Sequence, residues 1–487
     1  MSRVSRRQLL RGGGTVLAAT ALTAHSASAA VGPEGTPAPL AGPFEPWRGR
    51  PSGDPLLRVI DVTQLGAVGD GRTDDSAAFE RAYRLAATQV SGGVGRTVIW
   101  IPAGEFLITH PNALMNGVAP LRPANGLRFV GAGKRMTTLV FRPNAGPGSY
   151  LCRNEDIWSN VSFERMQFRS ATPGASFFSS YSTGQAQDYR FSECEWMGEW
   201  EFGLALEGTD TNSEMRWEAC RVGGSYRRAF LYSGLTRRGQ ADANDQDQFL
   251  NYWFTDMKVE YEWGNFLEFP YGGSITCRGG SYIITGTRPV STEEYGVSST
   301  FFRFPVAQHH DSVQRFHAQD IRFEVRNPNV RIIDSEWRSG TIHFSDCDDT
   351  GHAFRDFSAD VRPHRYSVGP RGPLIRYDSC QLVGRHEYRT DGRQHPLSAV
   401  ARYDMCLLRS HEVSAFLVAD STDGPDFVSF VDCLDVPRTD DTPTQADPGG
   451  PVSTTSPVAP GSPPPPAGDA APPTPSPPPS AAPAAGG

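Results

Sequence analysis

Glu195, Arg221 and Lys258 each come one residue after a Cys or Met that itself stands three residues beyond an aromatic: Phe191 to Cys194, Trp217 to Cys220, Phe254 to Met257. Gln167 follows Met166 in the same way, and Asp348 follows Cys347. If these positions share one outward register, a carboxylate, a guanidinium and one of only two lysines (Lys134 is the other) lie about 5 Å apart in successive turns of a solenoid. Such a set can neutralise a carboxylate on a sugar and offer a base to the neighbouring proton, as β-elimination requires. The same column reads equally as a surface charge ladder of small energetic weight. Hydrolysis needs two carboxyl groups about 5–9.5 Å apart instead, and the acids between Glu193 and Glu268, Asp256 among them, supply many candidates. A further acid and base set is Cys347-Asp348-Asp349-Thr350-Gly351-His352, which can also be an Asp- and Gly-rich turn. His309-His310-Asp311 with His317 is the only other cluster of histidines, with a solvated loop as its plainer reading. Trp200, Trp253, Trp263 and Tyr261 are of the type that stacks on sugar rings, although such residues also fill cores.

The element that must position these residues is a repeat. Aromatic-x-x-Cys (or Met) recurs at Phe163, Phe191, Trp217, Phe254, Phe344, Tyr377, Tyr403 and Phe430, at intervals that fit one coil of a β-solenoid. Coils stack strand over strand about 4.8 Å apart, so the sulfur residues form an interior file. Two residues further on stand Phe168, Trp196, Val222, Val259, Leu382 and Leu408, all apolar, which is the inward, outward, inward period of a strand. Two stretches, Gly223 to Phe249 and Gly272 to Gln314, interrupt the repeat and are expected as loops on one face.

Ahead of the repeat, Ala78, Phe79, Ala82, Tyr83, Leu85 and Ala86 fall on one helical face, with Thr73 placed to cap the helix and Asp74 and Asp75 in its first turn. The run Asp61-Val62-x-x-Leu65-Gly66-Ala67-Val68-Gly69-Asp70-Gly71-x-Thr73-Asp74-Asp75-Ser76-x-Ala78-Phe79, followed by Ile101-Pro102-Ala103-Gly104-Glu105-Phe106, resembles the start of the pectate-lyase-like, or rhamnogalacturonase/epimerase-like, domain. The resemblance implies an all-β chain, a single-stranded right-handed parallel β-helix with an N-terminal capping α-helix. It further implies an outer groove in which carboxylates, Arg or Lys and sometimes calcium act on a polysaccharide. The segment Asp348 to His352 is also similar to the paired Asp and Gly-His of polygalacturonases, while the remainder of that pattern is absent. Two functions follow as expectations. One is a secreted polysaccharide lyase or glycoside hydrolase acting on an acidic or pectin-like polymer; the other is a non-catalytic β-helix that binds glycans or is displayed at the cell surface.

The two ends speak of address and tether. Ser5-Arg6-Arg7-Gln8-Leu9-Leu10, an uncharged stretch from Gly12 to Leu22 and Ala27-Ser28-Ala29 read as a twin-arginine export signal over residues 1–29. Residues 30–53 follow as a linker, 54–437 as the β-helix domain, and 438–487 as a disordered tail rich in Pro, Ala and Ser. From Asp441 onward there are 16 of the 40 prolines and no aromatic residue, so this segment buries too little apolar surface to offset its chain entropy. A net charge of −8 with both signs interspersed speaks against a nucleic-acid partner, and no apolar run is long enough for membrane insertion. The eight cysteines are expected as buried thiols, with adjacent-coil disulfides such as Cys194 to Cys220 as the alternative. The chain has no spacing typical of zinc sites.

Overall fold

The computed structural model describes residues 58–434 apart from 96, 119–120, 183, 185, 209–211, 236–249, 271, 287–298, 306–312, 327–328, 351–361, 369–371, 385, 390–400, 410–415 and 420–427. The expected export signal, the tail, His352 and the His309-His310-Asp311 cluster lie outside the described residues.

Short strands alternating inward apolar with outward polar residues cannot bury their apolar side alone, so they stack. One coil consists of Tyr189–Ser192, Glu195–Met197 and Glu199–Gly208, and the next of Met215–Glu218, Arg221–Val222 and Ser225–Leu235. Each strand pairs in parallel with its equivalent in the next coil, which makes a three-faced β-helix. The first and second faces belong to one sheet, because Tyr252–Tyr261 and Gly273–Ile284 each run across the corner as a single strand. The third face is a separate 11-stranded sheet.

The corner between the first and second faces is one residue wide. Arg165, Glu193, Ala219, Asp256, Asp320, Asp346, Ser379, Met405 and Asp432 all take φ between 51° and 57°, and each directly precedes the inward residue of the sulfur file or its equivalent. A left-handed residue costs a side-chain-bearing amino acid roughly 1–2 kcal/mol. The gain is an unbroken ladder around the bend: Glu193 N–H donates to the Glu218 carbonyl at 2.9 Å, and Ala219 N–H to that of Thr255 at 3.0 Å. The next corner uses glycine where backbones crowd. At Gly224 (φ 73°) an added Cβ would come within 2.0 Å of the Gly198 carbonyl oxygen.

The interior is filled by files of like side chains. Phe129, Phe163, Phe191, Trp217 and Phe254 stack in sequence with ring centroids 4.5–5.3 Å apart. The sulfur file holds Cys194, Cys220, Cys347, Cys380, Cys406 and Cys433 as free thiols, all buried except the partly exposed Cys433; Cys152 and Cys277 are buried free thiols outside it, and none of the eight is in a disulfide. Each sulfur sits close to the neighbouring backbone: the Cys194 amide donates to Cys220 Sγ at 3.4 Å, and the Cys220 thiol donates to the Phe191 carbonyl at 3.4 Å.

Two expectations are corrected. The stretches taken for loops carry coils: Ser225–Leu235, Gly273–Ile284 and Thr300–Phe304 are strands. The repeat is hidden there because Cys277 and Ala318 occupy the aromatic file, in register between Phe254 and Phe344, while Gly280 takes the sulfur position beside Met257. The capping helix, Ser76–Thr88, begins after Asp75 rather than Thr73, and it leaves Leu85 exposed. The buried Asp75 carboxylate accepts the Val68 and Gly69 amides at 2.7 and 3.2 Å, so it pins the preceding glycine-rich turn instead of capping the helix. Tyr83 on the helix accepts Trp158 Nε1–H at 3.0 Å, which fastens the cap to the first coils.

Two outcomes are expected. All eight thiols titrate with an aromatic disulfide in denaturant without prior reduction, and at most Cys433 reacts quickly in the native protein; fewer than eight would mean disulfides. Met405 is 64% exposed at its left-handed corner. Met405→Gly therefore raises the unfolding free energy in urea by about 0.5–1 kcal/mol, whereas a corner that tolerates Met without strain would leave it unchanged or lower it.

Candidate functional site on the second face

Gln167, Glu195, Arg221 and Lys258 occupy one outward column of the second face in four successive coils. Glu195 is only 1% exposed despite its outward position. Its Oε1 accepts Arg221 Nη1–H at 3.0 Å, and its Oε2 accepts Gln167 Nε2–H at 3.0 Å, with Arg135 Nε 3.4 Å away. Arg221 bridges onward to Glu260 at 3.2 Å, and Glu260 holds Lys258 Nζ at 3.1 Å. The hydrogen bond from Lys258 is the main cause holding the Glu260 carboxyl below the usual carboxylate range, and Arg221 adds to it. Lys134, the other lysine of the chain, donates to the Ala219 carbonyl at 3.1 Å, so both lysines and the Arg135 guanidinium border this cluster. Glu260 lies two residues beyond Lys258 on the same strand, where alternation returns it to the outer side.

The remaining candidates are dispersed. Asp348 continues the same column but is separated from Lys258 by the coils of Ser281 and Arg322, about 14 Å in all. Asp256 is the exposed left-handed corner residue. Asp349 is 1% exposed and faces inward, so Asp348 and Asp349 do not form a paired surface site: adjacent strand residues point to opposite sides. Trp200 and Tyr261 are core residues, with Trp200 Nε1–H donating to the Met197 carbonyl at 2.9 Å and the Tyr261 hydroxyl to that of Thr300 at 3.1 Å, out of reach of any sugar. Trp253 is half-buried on the first face with Arg216 stacked over its ring at 4.5 Å, and Trp263 is half-buried at the entry to the third face.

Two arrangements had no sequence-based expectation. On the third face Glu268, Arg303, Asp334, Arg365 and Glu387 form an outward column of alternating sign, in which Arg365 grips Asp334 through two bonds of 2.7 Å. Inside the helix Asp349, His364 and His386 come together. The period of two, carried on from inward Cys347, was the signal for Asp349; nothing in residue spacing reported the histidines, which arrive from the third face. Calcium does not fit the second-face cluster, since the Glu195 and Glu260 carboxylates are already bound by amide, guanidinium and ammonium groups where the ion needs six to eight oxygens.

The chain resembles known proteins over short stretches. A 53-residue stretch is 42% identical to an exopolygalacturonase of Zea mays, covering 11% of this chain and 12% of that one. A 112-residue stretch is 31% identical to the preneck appendage protein of Bacillus phage PZA, covering 21% and 11%. The matches thus span about a tenth of the length of these curated relatives. Among solved structures, the A-module of mannuronan C-5 epimerase AlgE4 of Azotobacter vinelandii aligns over 77% of this chain and 94% of that one, at 12% identity and a TM-score of 0.46. The surface adhesin PfbA of Streptococcus pneumoniae aligns over 77% and 91%, at 10% identity and 0.34. Residues 59–187 match the family model for rhamnogalacturonase A/epimerase, pectate lyase-like proteins, and the coils built on them form a parallel β-helix.

Proposed function

We propose that the protein is an exported carbohydrate-active enzyme that cleaves an acidic polysaccharide by β-elimination on the second face. The observation that carries this reading is the gathering of Arg221 and Arg135 on buried Glu195, with Lys258 on neighbouring Glu260 and Lys134 on the Ala219 carbonyl. β-Elimination from a uronate needs positive charge where the sugar carboxylate becomes enolate-like, and a base at the neighbouring carbon. Arg221 and Arg135 supply the charge, oriented by Glu195, and Lys258, its side chain 56% exposed beside Glu260, is the side chain assigned to the neighbouring proton.

Hydrolysis is the weaker assignment. A glycosidase needs one carboxylic acid that keeps its proton, whereas Glu260 is held below the ordinary range by Lys258 and Arg221, and both Glu195 oxygens are engaged. The match of residues 59–187 and the polygalacturonase likeness of a 53-residue stretch support a polysaccharide as the substrate. The twin-arginine pattern expected over residues 1–29 supports a reaction outside the cell. A second reading, glycan binding without catalysis, is favoured by the Arg216 and Trp253 stack on the first face.

The test is incubation with polygalacturonate, alginate and a neutral glucan, with and without a chelator, following ultraviolet-absorbing unsaturated ends and reducing ends separately. Unsaturated ends from a polyuronate are expected in either condition. Because Lys258 is exposed, Lys258→Ala is expected to fold and to lower kcat by about 10²- to 10⁴-fold. Reducing ends without unsaturation would make the enzyme a hydrolase, and full activity in Lys258→Ala would remove the site.

A further inference from the structure

The interior files change chemistry together near the C-terminal end of the described coils. Along the second face the inward file runs Val222, Val259, Tyr282, Phe323 and then Asp349. On the third face Leu231, Leu267, Phe302 and Ile333 are followed by His364 and His386. The aromatic file of the first face turns from Phe344, in the coil of Asp349 and His364, to Tyr377 and Tyr403 in the next two coils. Every one of these polar side chains is almost wholly buried, where the coils before them carry apolar groups.

Their geometry is that of a ligand set with an outer shell. His364 Nε2 lies 2.9 Å from Asp349 Oδ2, and the His364 and His386 rings stack with centroids 4.1 Å apart. One ligand atom from each of the three residues lies within 4.8 Å of the other two. Each imidazole spends Nδ1 on a tyrosine hydroxyl, His364 on Tyr377 at 2.9 Å and His386 on Tyr403 at 2.8 Å, so the opposite ring nitrogen of His364 is the one that meets Asp349. Those tyrosines are hydrogen-bonded in turn to Tyr366 and Tyr388, so each Nδ1 is held from behind by a paired hydroxyl. Asp349 Oδ1 is buried without a hydrogen bond of regular geometry, the Val383 amide being the backbone donor facing this carboxyl. A buried polar atom so placed costs about 1–3 kcal/mol unless something occupies it.

We propose that Asp349, His364 and His386 form an internal site for a first-row divalent transition metal, with Tyr377 and Tyr403 holding the two imidazoles from behind. Two imidazoles and one carboxylate suit zinc and its first-row neighbours, with bonds of about 2.0–2.2 Å. A single carboxylate offers too few oxygens for calcium. The hydrogen-bonded separation of 2.9 Å would open by a few tenths of an ångström to admit the ion. Because the ligands come from two adjacent coils and face the interior, the ion enters as those coils close and contributes to their folding.

Metal analysis of the full chain, purified without chelator from zinc-supplemented medium, tests the site. About one equivalent of zinc or another first-row metal per folded chain is expected, falling below about a tenth in Asp349→Asn and His386→Gln and persisting in His317→Gln/His343→Gln, which alters the surface histidine pair. Growth on cobalt gives a readout that does not depend on variants, since visible ligand-field bands of cobalt with nitrogen ligands are expected from the wild-type chain. A folded wild-type chain with less than about a tenth of an equivalent of all first-row metals would overturn the proposal and leave a closed hydrogen-bond network. Metal that leaves with the surface pair, or stays when His386 is replaced in a folded chain, would overturn it as well.

Discussion

The hydrogen bond from each coil to the next is the constraint on which everything else in this protein rests. It fixes strands at one spacing and forbids any residue from leaving its column without breaking the ladder. A side chain is therefore chosen against the two directly above and below it, which is why phenylalanine stacks on phenylalanine and thiol on thiol. The constraint extends around the corners. Non-glycine residues are driven into left-handed backbone there because that conformation turns the chain in one step while still offering its amide to the next coil.

Much of this was legible because a period of two along the strand and a period of one coil along the axis multiply into a two-dimensional register. The column Gln167, Glu195, Arg221 and Lys258 follows from that register alone. What stayed illegible has physical causes. Coils whose sulfur moved to the aromatic file, as at Cys277, kept their geometry while losing their pattern. Trp200 and Tyr261 look like sugar platforms by type, yet the file they belong to decides which way they face. Asp348 and Asp349 read as a pair in one dimension and are divided by the pleat in three. The stretch from a second-face strand to the third-face strand of the same coil varies in length, one residue between Met197 and Glu199 but thirteen between Thr350 and His364, so no spacing could register His364 against Asp349.

The two charged outer faces differ in how they settle their electrostatics. On the third face acid and base alternate coil by coil, so each carboxylate is matched by the guanidinium beside it and the column is closed upon itself. The second-face cluster is richer in cations around one buried carboxylate, and its exposed members, Lys258 and Arg135, extend beyond the pairing they make. A ladder needs nothing from outside, whereas a cation-rich patch has attraction left over for an anionic polymer.

The polar coils at Asp349, His364, Tyr377 and His386 also divide the solenoid lengthwise. In a quasi-one-dimensional protein stability is a sum over neighbouring coils, and apolar junctions tolerate small slips that directional bonds do not. The junction through these residues is angular where the rest is greasy, so it behaves as a seam. Coils on its C-terminal side are coupled to the body through a few oriented contacts, and loss of any one would let that end open as a unit while the long hydrophobic barrel before it stayed shut.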